Sequence, residues 1–64
     1  MYAIRIKQTY NYFYGWDGRY KIPRPKISQN RIQLRGFTDR KDAERVLKEL
    51  GAGFEIVELR VRSL

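Results

Sequence analysis

The chain has 64 residues, with 14 Lys+Arg against 7 Asp+Glu, a net charge of +7, and neither Cys nor His. That length supports one domain, residues 1–64, which buries only about 60% of the surface its unfolded form exposes. Disulfides and thiolate or imidazole metal sites are excluded, the acids are too dispersed for an oxygen cage, and no run approaches the roughly 20 apolar residues of a membrane span. No cofactor is expected, and a soluble, cytoplasmic setting (host cytoplasm for a phage-encoded chain) is the expectation.

Residues 1–9 read as a strand, with Tyr2, Ile4 and Ile6 on one face and Ala3, Arg5 and Lys7 on the other. The aromatic run Tyr10-Asn11-Tyr12-Phe13-Tyr14 either continues that strand or opens a second one after a bend at Asn11. Gly15-Trp16-Asp17-Gly18 is the clearest turn signal, because Asp-Gly supplies the positive φ values of a tight hairpin. Arg19-Tyr20-Lys21-Ile22 then returns as the partner strand. Pro23-Arg24-Pro25 ends it, since proline removes ladder donors and favours an extended polyproline II stretch. Lys26 to Asn30 reads as a loop, and the alternation of Ile32 and Leu34 with Arg31, Gln33 and Arg35 suggests a short third strand before Gly36.

A helix is expected over 39–50. Thr38 or Asp39 caps it, and Asp39 and Asp42 sit at the positive end of its dipole. Ala43, Val46, Leu47 and Leu50 fall at i, i+3, i+4 and i+7 and make one apolar stripe. Arg40/Glu44, Glu44/Lys48 and Arg45/Glu49 are i,i+4 pairs on the wet side. Gly51 ends the helix and Gly53 turns the chain into a last strand, Phe54 to Val61, with Val57, Leu59 and Val61 facing inward. The fold class is therefore α+β: a small, mostly antiparallel sheet of three to four strands with one helix on one face, in the order β-β-(β)-α-β. The other face has no second layer in so short a chain, and is either solvated or met by a partner.

Phe37-Thr38, Ala43 and the run Leu50-Gly51-Ala52-Gly53-Phe54-Glu55-Ile56-Val57-Glu58 are similar to a pattern in short phage and prophage proteins. Those proteins also begin with a strand like Tyr2-Ala3-Ile4 and a hairpin containing Tyr and Gly. The resemblance implies the fold and a mobile-element origin, and brings no catalytic or binding residues with it. The segment from Pro23 onward departs from the usual short connection. A second likeness is to the arm-type DNA-binding domains of tyrosine recombinases and to plant AP2 domains, which back a three-stranded sheet in the major groove with one helix; the final strand here is not part of that plan.

The distribution of charge points to a partner. Residues 1–38 carry eight basic residues and one acid, Asp17, whereas residues 39–64 carry six of each and cancel. Arg19, Lys21, Arg24, Lys26, Arg31 and Arg35 form a stretch without an acid, which exceeds what solubility needs and suits the phosphates of a nucleic acid. Tyr12, Tyr14 and Trp16 belong to the aromatic run beside it. Half of those rings are needed for a core, yet Tyr12, Tyr14 and Tyr20 beside Arg5, Lys7 and Arg19 on an open sheet face would also stack unpaired bases. Catalysis is not expected without a His or a cleft holding paired carboxylates. The same features suit two other partners. One is an acidic protein surface met by an inhibitor or adaptor such as a phage anti-defence (anti-CRISPR-like) factor; the other is a second copy in a homodimer.

Overall fold

The computed structural model describes residues 1–30 and 33–59. Its elements run β1 (Tyr2–Ile6), β2 (Tyr12–Asp17), β3 (Arg24–Ser28), α1 (Arg40–Leu50) and β4 (Phe54–Glu58). The four strands make one antiparallel sheet in the order β3-β2-β1-β4, and α1 lies across one face against β1 and β4.

The helix ends where its cap residues put it. Asp39 is the N-cap, in extended conformation, and its carboxylate accepts the Lys41 N–H at 2.9 Å. Gly51 closes the other end at φ 83°, a left-handed value that glycine adopts without strain, and its N–H donates to Leu47 O at 2.9 Å. Ala43 is fully buried, and Val46, Leu47 and Leu50 pack around it against the sheet. On the wet side Arg40 pairs with Glu44 at 3.3 Å, while Arg45 reaches back to Asp42 at 3.8 Å instead of forward to Glu49.

Cross-strand partners share a sheet face, so the register sorts the residues. Ile4 opposes Ile56 and Ile6 opposes Phe54, which puts Ile4, Phe54 and Ile56 under the helix. Ala3 opposes Val57, so Val57 lies on the far face, contrary to its expected inward position. Both phases of β4 are apolar in sequence, and pairing with Ile4 selects the one containing Phe54 and Ile56. By alternation Leu59 follows Val57; Val61 lies outside the described residues. The far face is not wholly open, because Ala3 and Tyr12 are buried there.

The hairpin differs most from the expectation. Gly15, Trp16 and Asp17 belong to β2, the turn occupies 18–23, and the returning strand is β3, which contains Pro25. Pro25 is tolerated because β3 is the edge of the sheet, where a missing donor breaks no ladder on the outer side. Phe13 opposes Ile27 and Gly15 opposes Lys26, so one extra residue, Tyr14, is accommodated as a bulge. Past the bulge the faces exchange: Trp16 joins Phe13 under the helix, with ring centroids 5.3 Å apart and planes at 69°. Gly15 takes φ 153° there, a value side chains rarely adopt.

β1 and β2 pair only where Arg5 faces Tyr12. Beyond that point Phe37 occupies the side of Tyr2, exchanging two 2.7 Å hydrogen bonds with it, and Arg35 N–H donates to Phe13 O at 3.1 Å. This segment is a bridge in place of the expected third strand; Gln33 and Leu34 are in a bend, and Ile32 lies outside the described residues. Phe37 completes the buried cluster with Ile4, Phe13 and Ala43.

Phe13 is fully buried and joins the hairpin to the helix layer. Phe13→Ala is expected to cost about 3–5 kcal/mol, a large share of the roughly 5–15 kcal/mol that holds a domain. Val57→Ala, half-buried on the other face, is expected to cost distinctly less. Urea denaturation of the two variants measures this, and equal shifts in midpoint would contradict the assignment of faces.

Candidate nucleic-acid interface

The basic stretch divides once it is folded. Arg24 and Lys26 stand on β3, opposite Asp17 and Gly15, on the face turned away from the helix. Arg19 and Lys21 belong to the 18–23 turn and are exposed. These four cations line one hairpin. Arg35 is elsewhere: its guanidinium lies 5.2 Å over the Phe37 ring and borders a hollow shared with Asp42, Arg45 and Val46 of α1. Arg31 lies outside the described residues. The six-residue stretch is therefore not one patch: Arg19, Lys21, Arg24 and Lys26 stay with the hairpin, while the 35–37 bridge places Arg35 beside Phe37 and the helix.

Asp17, the lone acid of this half, has a structural occupation. Its carboxylate accepts the Arg19 backbone N–H at 3.1 Å, Arg19 Nε at 3.0 and 3.2 Å, and Arg19 Nη2 at 2.7 Å. The Arg19 contacts hold the Asp17 carboxyl below its usual value, first through the guanidinium and then through the backbone N–H, with smaller contributions from Lys26 and Arg24. An exposed pair of this kind adds little stability. It does fix the first residues of the turn, and it leaves Lys21, Arg24 and Lys26 without a salt-bridge partner among the described residues.

The other cations near the far face are tied differently. Arg5 Nε meets Glu55 Oε2 at 2.8 Å directly across the β1–β4 ladder, and the same oxygen accepts the Gln8 N–H at 3.2 Å. Arg5 lowers the Glu55 carboxyl foremost, and the Gln8 N–H adds to it. Gln8 takes a positive φ of 60°, so Glu55 also secures the strained turn between β1 and β2. Lys7 is exposed beside this pair.

The rings do not form a stacking platform. Tyr12 is 4% exposed and offers no face to a base. Trp16 is drawn by the bulge into edge contact with Phe13, and Tyr14, at the bulge, is half-buried. Tyr20 is 44% exposed, but Arg24 covers one of its faces at 4.2 Å. Strict alternation along β2 could not reveal this, since a bulge resets the period. The tip also carries a residue the charge pattern does not single out: Ile22 is 81% exposed, between Lys21 and Pro23. Its signal in the sequence is a lone apolar side chain inside a basic run, which reads equally as the end of a strand.

Among the described residues no three acids gather as a metal site would require, and no helix is long and apolar enough to cross a membrane. No protein-family model matches the chain, and no curated protein or solved structure is similar to it.

Because folding lowers the Asp17 carboxyl, whatever its brace contributes is present above the ordinary aspartate range and disappears as pH falls through the folded value. An NMR titration of the Asp17 carboxyl is expected to give a midpoint below the ordinary aspartate value, and Arg19→Gln is expected to raise it. An ordinary midpoint in the unsubstituted protein would show that the pair does not persist in solution.

Proposed function

We propose that this chain is a small basic protein of the phage or mobile-element type that binds nucleic acid through the β2–β3 hairpin. The observation that carries the reading is the convergence of Arg19, Lys21, Arg24 and Lys26 on one hairpin whose single acid is already occupied by Arg19. Cations held this way meet phosphate oxygens and displace condensed counterions, which provides affinity without reading sequence. Arg24 is preorganised by its contact with Tyr20, and Lys26 by its place in a strand. The likeness of the helix and glycine turn to short phage and prophage proteins supports the setting.

A second reading, an inhibitor or adaptor docking on an acidic protein surface, is favoured by one observation: exposed Ile22 and Tyr20 among arginines resemble the anchors of protein interfaces. Salt dependence separates the two. Three phosphate contacts, from Lys21, Arg24 and Lys26, predict a log–log slope of about −2 to −3 against salt, from roughly 0.9 per contact. Lys21→Ala, Arg24→Ala and Lys26→Ala together are expected to remove about 2–3 units of slope and weaken binding at least about tenfold, with folding intact because all three are exposed. Fluorescence anisotropy with labelled oligonucleotides over a salt series measures this. An unchanged slope in the triple variant would contradict the hairpin's role.

A further inference from the structure

We infer that Ile22 and Pro23 form a wedge that enters the minor groove of duplex DNA and opens one base step. This rests on the nucleic-acid reading above and adds to it the form of the ligand and the purpose of the apolar tip.

Ile22 is 81% exposed at the end of the hairpin, although a turn of this length needs no aliphatic residue there. Its setting is fixed. Pro23 locks its own φ and confines Ile22, as the preceding residue, to extended backbone. On the entering side of the turn Asp17 grips Arg19 through backbone and guanidinium, and on the leaving side Arg24 lies 4.2 Å over Tyr20. Ile22 and Pro23 also border a hollow with Trp16 and with Glu49 of α1, so the tip has the helix layer behind it. A solvated loop that served only solubility would carry neither the aliphatic side chain nor this bracing.

Lys21 and Arg24 flank Ile22 and Pro23 and border one hollow with Tyr20, an order that suits a groove walled by phosphates. Arg19 and Lys21 precede the apolar point in the chain, and Arg24 and Lys26 follow it on the returning strand. A minor groove is about 6 Å wide and is walled by a row of phosphates on each side. Apolar residues, Ile and Pro among them, enter such grooves, part-unstack a base step and bend the helix, while cations beside them hold the phosphates. Single strands would ask for a row of open ring faces instead, and the hairpin offers few: Tyr12 is buried, Trp16 is packed on Phe13, and Tyr20 has one face under Arg24.

The test is an end-to-end fluorescence energy transfer assay on a DNA duplex of about 24 base pairs, a length over which bending is readily read, with anisotropy on the same material. The unsubstituted protein is expected to raise the transfer efficiency. It is also expected to bind a duplex with one mismatched step about tenfold tighter, because that step is already partly unstacked. Ile22→Ala is expected to fold normally by circular dichroism and thermal melting, to keep the salt slope, and to lose both the bend and the mismatch preference. A bend that survives in Ile22→Ala, binding without any bend, or single strands bound as tightly as duplex would each overturn the wedge while leaving phosphate binding in place. No binding of any oligonucleotide at low salt would overturn the nucleic-acid reading itself and direct attention to an acidic protein.

Discussion

The bulge at Tyr14 is the constraint on which the rest of the structure depends. Without it, Phe13 and Gly15 would share the helix face and Trp16 would point away, leaving the helix to pack partly on a residue with no side chain. One extra residue exchanges the faces, so that Phe13 and Trp16 both lie under the helix layer. The same exchange turns Asp17 to the opposite side, the face that Arg24 and Lys26 already occupy by uninterrupted alternation from Ile27. A single backbone irregularity thus completes the core and sets the lone acid of this half beside the cations of β3. Gly15 pays no penalty at φ 153°, and a side chain there would meet open space, so the glycine is required by its backbone and not by crowding.

The chain is organised as two halves with different physical tasks. From Asp39 onward the charges cancel in sequence, and along the helix Arg40 pairs with Glu44 and Arg45 with Asp42. In the first half, acids are spent only on geometry. Asp17 fixes the turn after β2, and Glu55 crosses from β4 to fix Arg5 and the turn after β1. Among the described residues Lys7, Lys21, Arg24, Lys26 and Arg35 have no salt-bridge partner, although Arg24 lies over Tyr20 and Arg35 over Phe37. A domain this small has little stability to spare, and burdening one hairpin with self-repelling charge is readily understood if a polyanion neutralises it.

The helix, its caps, its apolar stripe, the first and last strands and the α+β class were legible because each rests on local chemistry. Asp39, Gly51 and the spacing of Ala43, Val46, Leu47 and Leu50 act within a few residues of themselves. The hairpin was not legible, because its determinants are relational. Pro25 forbids a central strand but not an edge strand, and whether β3 is an edge depends on the order of the whole sheet. Gly15 looks like a turn residue until its φ is known to serve a bulge. Val57 and Phe54 represent two equally apolar phases, and only the pairing of Ile4 with Ile56 chooses between them. For the proposed interface, composition identified the cations, while the tertiary path decided that Arg19, Lys21, Arg24 and Lys26 lie on one hairpin, that Arg35 stands apart, and that Tyr12 is buried.

Backbone-amide NMR during titration with a short DNA duplex addresses the central claim most directly, because it locates contact without altering the protein. The account predicts shift changes concentrated in residues 17–26, diminishing as salt is added, with the amides of Arg40–Leu50 little moved. Changes centred on the helix, or an unperturbed hairpin alongside demonstrable binding, would contradict it.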